Sequence, residues 1–241
     1  LSVAVRPQRT TVKRPFRVSL GGGATEILKP DQKLCMEFTT NGLYWPTEEV
    51  TVTAYRFASV ENYQTTADLY NLSNEAFYDP VQSESLTSVS TEKTTLKQGA
   101  SQVTMENPGE GAYLLEAVYH NPLSDSTERL RKMILVTDLL LYAQSVNGQT
   151  LLWLNSIATG GPLGGHTIDF VDSKGESVLS ATTDAEGIAV VNAERNPYAE
   201  PDWFHWVRVR NGAGENVYAD TTNVLTWDWS GRSDRYFSYF Y

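Results

Sequence analysis

The segment TGGPLGGHTIDFVDSKGESVLSATTDAEGIAVV, Thr159 to Val191, leaves a chain little choice but antiparallel β-structure. Gly160, Gly161, Pro162, Gly164 and Gly165 interrupt any helix at its start. Thr167, Asp169 and Val171 then alternate with Ile168, Phe170 and Asp172, a period of two that puts successive side chains on opposite faces of a strand. Asp172-Ser173-Lys174-Gly175 and Asp184-Ala185-Glu186-Gly187 are two turns of one kind, Asp leading and Gly where a positive φ is needed. Val178 to Thr182 forms a strand between them and Ile188 to Val191 leaves the second. Turns about 8–12 residues apart between alternating runs predict an antiparallel sandwich.

The same pattern extends in both directions. Toward the N-terminus, Lys33 to Thr40 places Leu34, Met36 and Phe38 on one face and Cys35 and Glu37 on the other, and Val50 to Phe57 is rich in β-branched and aromatic residues. Thr87 to Gln98 and Ala100 to Met105 flank a Lys97-Gln98-Gly99 turn, and Leu114 to Tyr119 and Leu130 to Val136 follow. Beyond these, Val136 to Gln144 and Thr150 to Asn155 flank Asn147-Gly148, a strong hairpin signal. Phe204 to Arg210 and Val217 to Ala219 flank the turn at 211–214, and the chain ends in the aromatic run Arg235 to Tyr241. Ala58 to Val81 breaks the alternation; a connection that long carries structure of its own, expected as a short helix near Ser73 to Tyr78 capped by Ser73 or Asn74. Pro7 and Pro15 suit an edge or linker strand, and Gly21-Gly22-Gly23 a hinge or turn. The fold class expected is all-β: two tandem antiparallel β-sandwiches, at 1–135 and 136–241, the first with an elaborated loop near 58–83. One strand is expected to run on through the boundary near Arg131 to Val136.

Composition removes several functions. Nineteen basic against 29 acidic residues give a net charge of −10, which repels phosphate backbones and anionic membrane surfaces, so nucleic acid is not an expected partner. The longest apolar run, Met133 to Ala143, is broken by Thr137 and Asp138 and falls short of the roughly 20 residues that cross a bilayer as a helix. A single cysteine, Cys35, rules out an internal disulfide. The start at Leu1, without Met or a signal-peptide pattern, fits a piece of a longer polypeptide.

Catalytic constellations are missing from the pattern, and neither a catalytic residue nor a cofactor is expected. His120, His166 and His205 have no metal-ligand spacing, and no nucleophile elbow, phosphate loop or dinucleotide fingerprint occurs. Asp169, Asp172, Asp184 and Glu186 read as turn chemistry on two turn tips, with a calcium cluster as the alternative. Glu48-Glu49 stands in a polar turn. Cys35-Met36-Glu37-Phe38 lacks the Gln that a Cys-x-Glu-Gln thioester needs as acyl donor, which leaves Cys35 an inert strand residue. The aromatic set Trp203, Trp206, Trp227, Trp229, Tyr236 and Phe240 has two readings, core and interdomain packing or a stacking platform for carbohydrate or peptide. Alternation in the YFSYFY run assigns Phe237, Tyr239 and Tyr241 to pack with Trp153 and Trp206, and Tyr236 and Phe240 to a loop or a following domain.

The order of these signals resembles the bacterial branch of the alpha-2-macroglobulin family. The resemblance is carried by Val136-Thr137-Asp138-Leu139, Leu151-Leu152-Trp153-Leu154, Thr159 to Gly165, Thr183 to Ala189, Gly231-Arg232 and Tyr236 to Tyr241. In the first half it is carried by Val5-Arg6-Pro7-Gln8, Phe38 to Gly42, Val50-Thr51-Val52 and Gly111 to Ala117, and the excursion around Asn74 to Pro80 is similar to the version in Bacteroides-like bacteria. The resemblance implies two internal macroglobulin-like domains of a larger exported protein, in the periplasm or associated with the outer membrane. It implies neighbouring macroglobulin-like domains of the same polypeptide as partners, and proteases only through the whole molecule, whose bait region and thioester domain have no counterpart here. The competing reading is a cell-surface adhesin or glycan- or peptide-binding module.

Overall fold

The computed structural model describes residues 17–21, 25–41, 49–63, 86–146, 149–172, 174–192 and 206–220. Their strands in the first half are β1 (Arg17–Gly21), β2 (Thr25–Leu28), β3 (Leu34–Asn41), β4 (Glu49–Phe57), β5 (Leu86–Thr95), β6 (Gly99–Met105), β7 (Gly111–Asn121) and β8 (Ser126–Val136). In the second half they are β9 (Leu139–Val146), β10 (Gln149–Ser156), β11 (Thr167–Val171), β12 (Ser177–Thr182), β13 (Ile188–Asn192), β14 (Trp206–Arg210) and β15 (Asn216–Asp220). The expected helix at 73–78 lies outside the described residues; a helical turn occupies 60–63, where the Ser59 hydroxyl accepts from the Asn62 amide at 3.3 Å.

The all-β expectation holds. β1-β3-β6 and β2-β8-β7-β4-β5 form two sheets in the first half, and β13-β10-β9 and β12-β11-β14-β15 form two in the second. Every ladder is antiparallel except β2 with β8. β1 and β2 lie in different sheets, so the chain changes sheet across the glycine run that follows Leu20. Tyr113, fully buried at the start of β7, donates its hydroxyl to the carbonyl of Gly109 at 2.7 Å, the tyrosine corner of Greek-key sandwiches.

Leu34, Met36 and Phe38 face inward, as the alternation predicts, and join Val50, Val52 and Leu115 in the core between the first two sheets. β7 and β8 are buried on both faces. Tyr113, Leu115 and Ile134 serve that core, while Leu114, Met133 and Leu135 turn to a second one. This second core is shared: Phe57, Val60 and Tyr63 of the first half join Leu152, Phe170 and Val207 of the second in one apolar cluster. Burial on this scale, roughly 1.5–3 kcal/mol for each large side chain removed from water, joins the halves as a core would.

The strand expected to run through the junction is interrupted. β8 ends at Val136 and β9 begins at Leu139. Between them, the Thr137 amide donates to the Leu28 carbonyl at 3.0 Å and its hydroxyl accepts from the Leu139 amide at 3.1 Å. Asp138 accepts from the Ser156 hydroxyl at 2.6 Å and the Ala158 amide at 2.7 Å. These polar groups leave the ladder to tie the junction down, which breaks the strand.

One turn recurs three times in the second half. The side chains of Asp172, Asp184 and Asn211 each accept from the backbone amides two and four residues on. In each, the glycine at the fourth position donates back to the first carbonyl and has φ of 85°, 73° and 83°, for Gly175, Gly187 and Gly214. The Asn147-Gly148 pair lies outside the described residues, but β9 and β10 pair Val146 with Gln149, which leaves two residues for the turn. The glycine-rich stretch before β11 has a further reason. An added Cβ at Gly164 would stand 2.4 Å from the Asp184 carbonyl oxygen, and one at Gly187 would stand 2.4 Å from that of Leu154. The segment is threaded between β10 and the 183–187 turn, held by Leu163 N to Leu154 O at 3.0 Å, Gly165 N to Thr183 O at 2.9 Å, and the Thr183 hydroxyl donating to Leu163 O at 2.8 Å.

Candidate functional site at the junction of the two halves

A cluster of charge is centred on Asp169, in the middle of β11 and without solvent exposure. This corrects the sequence expectation: Asp169 is not at a turn tip and does not share a cluster with Asp172, Asp184 and Glu186. Pairing puts Ser180 of β12 on one side of it and Arg208 of β14 on the other. Arg210 reaches it bidentately, Nε to Oδ2 at 2.6 Å and Nη2 to Oδ1 at 2.9 Å, while Arg208 Nε donates to Oδ2 at 3.2 Å. The hydroxyls of Ser177 and Ser180 donate to Oδ1. Burial pushes the Asp169 carboxyl up, but the hydrogen bonds from Arg210 and Ser180 and the charges of Arg210 and Arg208 outweigh it and hold the group below the ordinary carboxylate value. The Arg210 guanidinium is raised in turn by its bond to Asp169.

Arg208 extends the network across the junction. Its Nη1 lies 3.6 Å from Glu61 in the helical turn of the first half, and its guanidinium carbon stands 5.7 Å from the ring centre of Trp206. Trp206, one of the aromatic residues singled out in the sequence, is 6% exposed and belongs to the shared core. Trp203, Trp227, Trp229, Tyr236 and Phe240 lie outside the described residues, as do Phe237, Tyr239 and Tyr241. Their expected partners stand apart: Trp153 is 46% exposed on the outer face of the β13-β10-β9 sheet, and Trp206 is buried on the other sheet. Trp153 is therefore not part of the core, because the alternation in β10 gives the inward positions to Leu152 and Leu154.

A second buried set lies on β7 and β8. Glu116 accepts from Arg131, Nε at 2.8 Å and Nη2 at 2.7 Å, with Arg129 at 4.0 Å. Lys132 pairs with Glu26 at 2.5 Å and donates to the Cys35 carbonyl at 3.3 Å. Both sets pair buried carboxylates with cations. Asp169, with no solvent exposure and donors on both oxygens, is a positional group that ties β11 to β12 and β14.

Among the described residues, no three of His, Cys, Asp and Glu are grouped to hold a metal ion. His120 is exposed and lies 3.5 Å from Asp125, and His166 contacts the Gly164 carbonyl at 3.1 Å; His205 lies outside the described residues. Cys35 is half-buried on β3 with the Thr104 hydroxyl 4.0 Å from its sulfur. A cleft of about 410 Å³ between β3, β6 and β5 is lined by Glu37, Thr39, Thr94, Lys97 and Gln102, without a nucleophile and base in reach of each other. The sequence held only part of this signal: Arg208 and Arg210 alternate with Val207 and Val209 and so share one face of β14, while β11 carries a single charge, Asp169, about forty residues before them.

Residues 136–232 match the family model of the bacterial alpha-2-macroglobulin MG3 domain. In fold, the chain is similar to the crystal structure of native alpha-2-macroglobulin from Escherichia coli spanning domains MG0-NIE-MG1, with a TM-score of 0.60 at 14% identity over 86% of this chain and 64% of that one. It is also similar to the structure from Escherichia coli spanning NIE-MG1, with a TM-score of 0.57 at 15% identity over 86% of this chain and 97% of that one. The chain thus spans about two thirds of the length of the first of these structures. No curated protein matches the chain by sequence. The resemblance to bacterial alpha-2-macroglobulin is thus carried by the family match over the second half, and the structural likeness carries the fold of both halves. The family match names MG3, whereas the two structures similar in fold span NIE-MG1 and MG0-NIE-MG1.

Proposed function

We propose that this chain is a structural segment of a bacterial alpha-2-macroglobulin-like protein, carrying two consecutive macroglobulin-like sandwiches at about 1–135 and 136–241. The observation that carries the reading is the match of 136–232 to the MG3 domain, which takes in the Asp-led turns and the threaded glycine segment. The joined core and the Asp169 network support a rigid spacer role, since they set the angle between the halves. Protease trapping is an activity of the whole molecule, which brings the bait region and the remaining domains, and the proteases it meets are partners of that whole. The segment acts as scaffold and not as an enzyme, a reading supported by Asp169, whose two oxygens are taken by arginine and serine donors, and by Glu116, which is paired with Arg131. The place of action is the periplasm or the outer-membrane-associated envelope, after export.

The test is the polypeptide encoded around this segment. Further macroglobulin-like sandwiches beyond Tyr241 are the expected finding. A cell-wall anchor or repeats of a lectin-like module there would replace this reading with that of a surface adhesin.

A further inference from the structure

Of the three recurring turns of the second half, the one between β14 and β15 carries asparagine where the others carry aspartate, and glycine where they carry serine and alanine: Asn211-Gly212 against Asp172-Ser173 and Asp184-Ala185. An asparagine side-chain amide is open to attack by the backbone nitrogen of the next residue, and glycine, without a Cβ, leaves that nitrogen unshielded. Asn211 is half-buried and 212–215 are exposed, so the Gly212 backbone stands in water. The Asn211 Oδ1 accepts from the Ala213 amide at 3.0 Å and from the Glu215 amide at 2.9 Å. The first of these bonds bridges Gly212 and folds the Asn211 side chain back over the Gly212 nitrogen. Together the two donors stand as in an oxyanion hole, on the oxygen that gathers charge when Cγ is attacked. The nitrogen that would leave, Nδ2, donates to Glu215 Oε2 at 2.9 Å.

We propose that Asn211 is a self-modification site, at which the folded chain loses the side-chain amide as ammonia and keeps the turn with aspartate in its place. The Gly212 nitrogen gives its proton to solvent base and bonds to Asn211 Cγ; the Cγ–Nδ2 bond breaks and, with protons from water, ammonia leaves. Water then adds at Cγ of the cyclic imide, the bond from Cγ to the Gly212 nitrogen breaks, and that nitrogen regains its proton. The net change is asparagine and water to aspartate and ammonia. The product is already present elsewhere in the fold. Asp172 accepts from Lys174 N and Glu176 N at 2.9 Å each, and has a glutamate four residues on, as residue 211 has Glu215. Opening of the imide at the main-chain carbonyl would instead add a backbone carbon to a turn pinned at both ends, by Asn211 N to Glu215 O and Gly214 N to Asn211 O, each 2.9 Å. The frame therefore selects aspartate over isoaspartate. The change adds one negative charge to an exposed turn and so marks the age of the folded chain.

The experiment incubates the folded 241-residue chain in warm, mildly alkaline buffer and follows residue 211 by peptide mapping, with fragmentation that separates aspartate from isoaspartate. Aspartate should accumulate at 211 as the main product. Gly212→Ala should slow the loss of the amide at least about tenfold. That variant fits the turn, since its Cβ meets nothing closer than Gly165 O at 4.0 Å and Ala185 fills the same position in a related turn. Asn211→Asp should keep the urea midpoint of the parent, as the Asp172 turn leads one to expect. The same mapping of the parent unfolded in urea separates the reactivity of the dipeptide from that of the turn. Asn211 that survives in the folded chain overturns the proposal, and if it is lost in urea over the same time, the turn is what shields it. Isoaspartate as the main product, unchanged loss in Gly212→Ala, or a lowered midpoint for Asn211→Asp overturns it equally.

Discussion

Replacing Gly187 by alanine should be far more damaging than the same change at Gly175, although the two glycines occupy the same position of the same turn. Both have positive φ, 73° and 85°, which costs an alanine about 1–2 kcal/mol. At Gly175 nothing lies within 4 Å of the added methyl, so that cost is the whole effect. At Gly187 the methyl would stand 2.4 Å from Leu154 O and 3.0 Å from Leu163 N, backbone atoms that cannot rotate aside. Relieving the clash adds an overpacking cost of about 1–3 kcal/mol. It also strains the bonds from Leu154 N to Gly187 O and from Leu163 N to Leu154 O, each worth about 1 kcal/mol. The Gly187→Ala loss is thus about 3–5 kcal/mol against about 1–2 kcal/mol for Gly175→Ala. Gly164→Ala, with the 2.4 Å contact to Asp184 O but no positive φ, should fall between them. Urea denaturation of the three variants measures the differences, provided the m-values agree. If Gly187→Ala and Gly175→Ala prove equally mild, the threading of 159–165 between β10 and the 183–187 turn is wrong.

Three further outcomes follow from the buried charges and the shared core. Asp169→Asn should cost about 3 kcal/mol near neutral pH, because Arg208 and Arg210 lose their counter-charge in a buried setting. The folded carboxyl titrates below its ordinary value of 3.8, so its contribution is present above that pH and is lost as pH falls through the lower folded value; acid unfolding of Asp169→Asn should lack this component, and identical acid profiles would refute the assignment. Glu116→Gln should destabilise by a similar amount through Arg131, read by the same denaturation assay. Trp206→Ala should cost about 3–5 kcal/mol as a large aromatic lost from a core, and a thermal melt unchanged from the parent would place Trp206 outside it.

Turns and inward faces were legible from the sequence because each rests on local chemistry. Asp172 and Asp184 lead their turns for a reason that four residues contain, and the inward set of Leu34, Met36 and Phe38 follows from a period of two. What escaped local reading depends on contacts between distant residues. Asp169 looked like turn chemistry because its partners, Arg208 and Arg210, lie about forty residues on. Trp153 looked like core because tryptophan usually is buried, yet its parity in β10 puts it outward and gives the core to Leu152 and Leu154. Thr137 and Asp138 were visible as a break in an apolar run, but that they end the strand follows only from their distant polar partners at Leu28, Ser156 and Ala158.

The central claim is that this segment is scaffold and that inhibition belongs to the larger molecule. The direct measurement is cleavage of a macromolecular substrate by a broad-specificity protease, followed against increasing amounts of the purified 241-residue chain and, in parallel, of the full polypeptide. The account predicts no change in rate with the chain alone and dose-dependent shielding with the full polypeptide. Dose-dependent inhibition by the chain alone would contradict it.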